Sequence, residues 1–256
     1  DFNAMAADLE RTLNELGAER DKVAHLLEAR RALVAGVSHE LRTPVATIRG
    51  YLESLRASEG AEPWDESLGR DLQVMEGEVL QLQRLIDDLF TLSRAEVGGL
   101  DLNLHPVDLG SVIRRRVKAL APLAWERERV EVVAELPDTL PLVRTDEGRF
   151  DQVLVNLLRN AFRHTDPGGI VAVMASSDEE VGRVEVRDTG GGIPPEELPR
   201  VWDRFYRGED GRVRDAQGAG LGLALVRELT EAMGGRVEVE SKLGEGSCFA
   251  VTLPRV

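Results

Sequence analysis

The chain has 256 residues, 42% hydrophobic and 4% aromatic, with 32 Lys and Arg against 46 Asp and Glu, a formal net charge of −14. That hydrophobic share supports a real core and excludes general disorder. The acidic balance argues against a nucleic-acid binder, which needs a basic surface.

Cys248 is the only cysteine, so an internal disulfide framework and a cysteine metal cluster are both excluded, and a reducing compartment fits. No stretch approaches the roughly 18 apolar residues of a membrane span, and no signal peptide is evident. The chain opens at Asp1-Phe2-Asn3 without a Met and already in helical periodicity, which reads as a piece of a longer protein.

From Leu9 a four-and-three spacing runs through Leu13, Leu16, Arg20, Val23, Leu27, Arg30, Val34, Val37, Leu41, Pro44, Ile48, Tyr51 and Leu55. This is a heptad seam, and one so long predicts a partner helix, most simply from a second copy. Gly60 and Pro63 break it. A second seam follows at Leu68, Leu72, Met75, Val79, Leu82, Ile86 and Leu89, ending near Gly98-Gly99. Two such helices joined by a turn make a hairpin, and two hairpins make a four-helix bundle.

After Pro106 the texture changes to mixed α/β. Strands are predicted over 130–134, 142–145, 170–175, 184–186, 237–240 and 249–253, and helices over 109–120, 149–164 and 221–233. Glycines cluster between Gly190 and Gly222, marking irregular backbone placed for contact.

Five motifs carry chemistry. In Ser38-His39-Glu40-Leu41-Arg42-Thr43-Pro44, His39 falls at the solvent-facing f position of the heptad. His25 also falls at f but has no acid or Thr-Pro after it, and reads as a solvated surface residue. Beside His39 stand Glu40 and, a helical turn on, Thr43. A neutral imidazole is a good nucleophile, and a neighbouring carboxylate can orient or take its other proton. Pro44 removes one backbone hydrogen bond and favours a bend there.

In the second motif Asn156, Asn160 and Arg163 share one helix face. Asparagine is a poor helix former, and an amide oxygen can ligate Mg²⁺. The third is Asp188-Thr-Gly190-Gly-Gly192-Ile193, directly after a β-run. The fourth is Arg204-Phe205-Tyr206-Arg207, followed by polar residues 208–217. The fifth, Gly218-Ala-Gly220-Leu221-Gly222, precedes an amphipathic helix, whose N–H groups and positive end suit phosphate. It is not a Rossmann fingerprint, because no βαβ unit surrounds it. Gly244-Glu-Gly246-Ser247 precedes the last strand as a glycine turn.

The first motif resembles the H box of sensor histidine kinases. The others resemble the N, G1, F and G2 boxes of the Bergerat-type (GHKL) ATP-binding domain, in that family's order. The resemblance implies a fold of class α plus α/β: a helical-hairpin domain forming a dimeric four-helix bundle, then a Bergerat-type α/β sandwich. It implies His39 as phospho-acceptor, Glu40 as its acid/base partner, and Thr43 as the residue placing water in a reverse phosphatase reaction. It implies ATP and Mg²⁺ as cofactors, with Asn160 as metal ligand and Asn156 supporting it. Arg163 and His164 would face the polyphosphate. Asp188 would read the adenine amino group, with Gly190 and Gly192 allowing close approach. Arg207 would reach the γ-phosphate, Phe205 and Tyr206 would anchor a mobile lid, and Gly218, Gly220, Leu221 and Gly222 would cradle phosphates.

The resemblance divides the chain into 1–33, the end of a HAMP-like module and a signalling helix; 34–99, the dimerisation and phosphotransfer hairpin; and 107–256, the catalytic domain. It implies a homodimer, a response regulator as partner, and the cytoplasmic portion of a membrane sensor. The rival readings are a hydrolysing GHKL ATPase and a non-catalytic dimeric scaffold. The ATPases carry Glu where this chain has Asn156, and they lack an H box.

Overall fold

The computed structural model describes residues 20, 41, 43–53, 55, 66–96, 99–208 and 219–256. His25, His39, Glu40, Gly218 and the seam positions from Leu9 to Val37, Arg20 excepted, lie outside the described residues. The chain divides into two compact units, Asp1–Gln83 and Arg84–Val256.

In the first unit residues 43–53 are helical (α1). Pro44 is buried and Leu41, Ile48, Tyr51 and Leu55 are half-buried, while Val45, Arg49, Leu52 and Glu53 face solvent. The described part of the first seam therefore faces inward. The Thr47 hydroxyl donates to the Thr43 carbonyl at 3.1 Å.

Helix α2 (Glu66–Glu96) has 31 residues, a length of about 46 Å. Its seam splits in two. Leu68, Met75, Leu82 and Leu89, seven apart, are covered, whereas Leu72, Val79 and Ile86, also seven apart, are 47%, 52% and 56% exposed. The division between the units falls inside α2, and in its second part Leu85, Thr91 and Leu92 are buried.

The second unit holds strands β1 (His105–Val107), β2 (Glu131–Glu135), β3 (Val143–Thr145), β4 (Ile170–Ser177), β5 (Val181–Asp188), β6 (Arg236–Lys242) and β7 (Gly246–Pro254). Its helices are α3 (Leu109–Glu128), α4 (Glu147–His164) and α5 (Gly222–Ala232). β1 pairs with β3, and the remaining strands form a five-stranded sheet of order β2-β4-β5-β7-β6. Only its β2–β4 pairing is parallel.

The register sorts the residues by face. Val173 lies opposite Val186, Val186 opposite Phe249, and Phe249 opposite Val239. These positions form the inner face, on which α3, α4 and α5 pack. The outer face carries charge: Arg183 contacts Glu185 at 2.7 Å and Glu238 at 2.6 Å. Strand alternation thus gives one apolar face, and helices on that face alone give a two-layer α/β sandwich. Helix α4 contributes Phe150, Val153, Leu154, Leu157, Leu158 and Ala161 at helical spacing, all buried. Full burial of such a side chain contributes about 1.5–3 kcal/mol. The Asp146 carboxylate caps α4, accepting from the Arg149 N–H at 3.0 Å.

The opposite side of α4 meets the end of α2 within the same unit. There burial pushes the Asp88 carboxyl up to about 6, and Asp87 adds to the rise. Arg159, Arg84 and a hydrogen bond with Gln152 oppose it but do not win. The native state therefore binds this proton more tightly than the unfolded chain, whose carboxyl ionises near 3.9. Asp88's contribution to stability accordingly falls as pH rises from about 4 through 6. Asp88→Asn is expected to raise Tm at pH 7.5, and the gain is expected to shrink towards pH 4.5. A gain of equal size at both values would refute burial as the cause.

Candidate functional site

The site is built at the end of β5. Asp188 closes that strand and is 3% exposed. Its Oδ1 accepts two backbone N–H groups, from Gly190 at 2.9 Å and Ser247 at 3.2 Å. Burial pushes its carboxyl above the usual range, and the two donors pull it back.

The loop after Asp188 is held on both sides by backbone. A Cβ on Gly190 would stand 1.9 Å from the His164 carbonyl oxygen at the end of α4. A Cβ on Gly192, whose φ is +71°, would stand 2.2 Å from the Lys242 carbonyl oxygen. The Gly244 N–H donates to the Gly191 carbonyl at 2.7 Å, which ties the loop to the β6–β7 turn. The glycines are therefore required by the chain's own packing, whatever ligand approaches.

On α4, Asn156 and Asn160 are half-buried, and Arg163 and His164 are exposed. The Asn156 amide donates to the Gln152 carbonyl at 2.9 Å. Its oxygen lies 3.0 Å from where a Gly222 Cβ would be, so Gly222 makes room for Asn156. Gly222 opens α5, whose N-cap is Leu221, 1% exposed and without a side-chain capping bond. Among the described residues no side chain caps the first N–H groups of α5, and they start beside the Asn156 amide. That pairing of free donors with amide oxygens suits an anion and its cation. Among the described residues no group of three or more His, Cys, Asp or Glu could hold a metal ion.

The fourth and fifth motifs meet. Phe205, at φ +59°, donates its N–H to the Gly220 carbonyl at 2.9 Å, and Gly220 has φ +66°. A Cβ on Gly220 would stand 2.8 Å from the Phe205 and Tyr206 backbone. Both roots of the intervening segment are thus pinned together. Tyr206 lies under the Arg200 guanidinium at 4.6 Å, and Trp202 meets Phe249 edge-on at 5.8 Å. Arg207 is half-buried beside them. Thr43 is exposed and belongs to the first unit.

Two contacts were not foreseen from the motifs, although Arg204 and Ser247 stand in them. Arg204 pairs with Glu228 of α5 at 3.3 Å, both largely covered. Ser241 and Ser247 share a hydroxyl contact at 2.9 Å across the β6–β7 turn. Their hint in the sequence is two serines flanking Gly244-Glu-Gly246.

The backbone clamp on the loop makes a matched pair of variants. Gly190→Ala forces a Cβ onto a carbonyl that cannot step aside, and overpacking of this kind costs about 1–3 kcal/mol. Gly191→Ala meets nothing within 4 Å. Thermal unfolding is expected to show a lowered Tm for the first and an unchanged Tm for the second. Equal values would refute the clamp.

Comparison with known proteins agrees with this architecture. Residues 145–256 match the family described as histidine kinase-, DNA gyrase B- and HSP90-like ATPase. Residues 29–98 match the His Kinase A (phospho-acceptor) domain. Sensor protein SrrB of Staphylococcus aureus (strain N315) is 34% identical over 243 residues, covering 90% of this chain and 39% of SrrB. The chain thus spans about two fifths of the curated relatives it matches. The solved histidine kinase AdeS of Acinetobacter baumannii aligns with a TM-score of 0.67 at 28% identity, over 85% of this chain and 98% of that one. Full-length ShkA, solved in complex with AMPPNP, aligns with a TM-score of 0.64 at 32% identity, over 87% of this chain and 45% of that one. A phospho-acceptor helical region followed by an ATPase-like α/β sandwich, matched together and in that order, places this chain in the sensor histidine kinase family.

Proposed function

We propose that this chain transfers the γ-phosphoryl group of ATP to His39 and then passes it to an aspartate of a response regulator. One observation carries the reading: the buried Asp188 carboxylate lies in the same unit as the Asn156 amide and the uncapped start of α5. That set suits a base with an amino group at one end and an anion at the other. The AMPPNP complex of ShkA supports an adenine nucleotide.

In this reading a ring nitrogen of His39 attacks the γ-phosphorus, the bond to the β-phosphate oxygen breaks, and ADP leaves. Glu40 holds the proton on the other ring nitrogen, which keeps the attacking one unprotonated. Asp188 orients the base, and the α5 N–H groups hold the phosphates in line. Mg²⁺, when bound, would neutralise charge on the phosphates, with Asn160 as its protein ligand and Asn156 supporting it. Arg163, His164 and Arg207 would add positive charge around the polyphosphate, and Gly218, Gly220, Leu221 and Gly222 would supply the phosphate loop. Asn156 disfavours the hydrolytic alternative, because an amide cannot take a proton from water. Thr43 supports a reverse phosphatase reaction.

The functional unit is a homodimer. Leu72, Val79 and Ile86 repeat every seven residues on one face of α2 and are exposed in the single chain. A heptad face of this kind calls for another helix of the same repeat, which a second copy supplies. The parent protein is a membrane sensor whose cytoplasmic portion this chain represents. Among the described residues no helix is long and apolar enough to cross a membrane.

Incubation with γ-labelled ATP and Mg²⁺ is expected to yield acid-labile, base-stable label. His39→Gln should bind ATP normally and take up none. Asn160→Ala should weaken Mg·ATP binding at least tenfold, about 1.4 kcal/mol, and normal binding in it would remove the metal assignment. Turnover of ATP without label would favour the hydrolysing class. Val79→Glu should shift the dimer to monomer in sedimentation, and an unchanged dimer would refute the α2 face as the interface.

A further inference from the structure

The hydroxyl pair at the β6–β7 turn has a fixed hydrogen-bond direction. A serine hydroxyl has one hydrogen and two lone pairs. The Ser241 hydroxyl donates its hydrogen to the Gly246 carbonyl at 2.9 Å. It accepts from the Ile193 N–H at 2.8 Å. With its hydrogen on the Gly246 carbonyl, Ser241 has a lone pair left for the Ser247 hydroxyl at 2.9 Å, and in that arrangement Ser247 is the donor. With that hydrogen used, the Ser247 oxygen offers lone pairs alone.

Asp188 is polarised in the same sense. Both of its hydrogen bonds fall on Oδ1. Its Oδ2 takes neither of them and is the oxygen left for a ligand. The three side chains share the inner face of the sheet. Ser241 lies opposite Ser247 in the β6–β7 register, and the Ser247 N–H reaches Asp188.

We propose that Ser241 is a positioning residue for base recognition: by taking the Ser247 hydrogen it leaves Ser247 and Asp188 as acceptors only, so the site selects a base bearing an amino group over one bearing a carbonyl there. This rests on the adenine-nucleotide reading of the site. A carbonyl oxygen in place of the amino group meets two acceptors with no hydrogen between them. A site built to bond a donor rejects the analogue that lacks it, because its buried acceptors are then left unpaired. Without Ser241 the Ser247 hydrogen can turn towards the ligand, and the carbonyl base finds a donor.

The test compares ATP with ITP, which replaces the adenine amino group by a carbonyl. Binding constants are measured on the full chain by calorimetry, for the parent sequence, Ser241→Ala, Ser241→Thr, Ser247→Ala and the double alanine variant. The expected result is an ATP-over-ITP preference that falls about tenfold in Ser241→Ala, mainly through tighter ITP binding, and is restored in Ser241→Thr. Ser247→Ala should lose a similar preference, and the double variant no more than either single. A Ser241→Ala variant that weakens both nucleotides equally would show a structural role alone and overturn the proposal, as would additive losses in the double variant. If Ser241→Ala does not fold, an unchanged preference in Ser247→Ala overturns the proposal by itself. Failure of the parent sequence to bind ATP would instead remove the nucleotide reading.

Discussion

Oδ1 of Asp188 takes two backbone N–H groups, one from Gly190 two residues on and one from Ser247, 59 residues on. The site depends on that single oxygen. It fixes the first residues of the loop after β5 and the first residues of β7 to one another. The loop in turn rests on the last carbonyl of α4, and the β6–β7 turn rests on the loop. A carboxylate buried to this degree costs free energy unless its lone pairs are met. Here the two N–H groups that meet Oδ1 also build the loop. The central strand β5 makes this possible, because its neighbours β4 and β7 leave its end no freedom.

Helix α4 carries the conflict between folding and function most openly. Six apolar residues on one face lock it to the sheet. The stabilisation they supply exceeds the few tenths of a kcal/mol by which each asparagine disfavours a helix. Asn156 and Asn160 are thus tolerated on the other side. A neighbouring face carries Gln152 and Arg159, which meet Asp88 of α2. One helix therefore serves the core, the proposed phosphate site and the contact with the hairpin's end.

Much of this was legible in the sequence, and the failures have physical causes. The six predicted strands are present because alternation with buried valines is a strong local signal. β1 escaped because it has three residues, one of them Pro106, and exists through its pairing with β3. Helix α3 was expected to stop at Leu120 but continues through Pro122 to Glu128. Proline removes one intrahelical bond, and the buried Ala124 beyond it helps hold the last turns. The second seam was read as one stripe, whereas the structure splits it into a covered and an open one. A second apolar stripe, Leu85 and Leu92, was not separated from it, since spacing does not say which neighbour each turn meets. The glycines stand out in the sequence, but the neighbour each one meets within the chain does not. At Gly190, Gly192 and Gly220 the approaching group is the chain's own backbone, set by tertiary structure. The Ser241 network is hinted at only by two serines flanking Gly244-Glu-Gly246, because hydrogen-bond direction follows from atoms in space.

The formal charge of −14 sets the remaining constraint. A chain this acidic repels a triphosphate at long range, so attraction must be local and short. Aligned backbone dipoles meet that need, because their field falls off within a helical turn and adds no net charge. The uncapped start of α5 supplies such donors. The basic side chains Arg163 and His164 stand in the last turn of α4, where the helix dipole favours positive charge. The start of α5 favours an anion and the end of α4 favours the basic side chains it carries, and the outer face of the sheet ties Arg183 into acid pairs that leave it no reach. Discrimination then falls to the base end, where the nucleotide carries no charge and the direction of hydrogen bonds to Asp188 and Ser247 distinguishes one base from another.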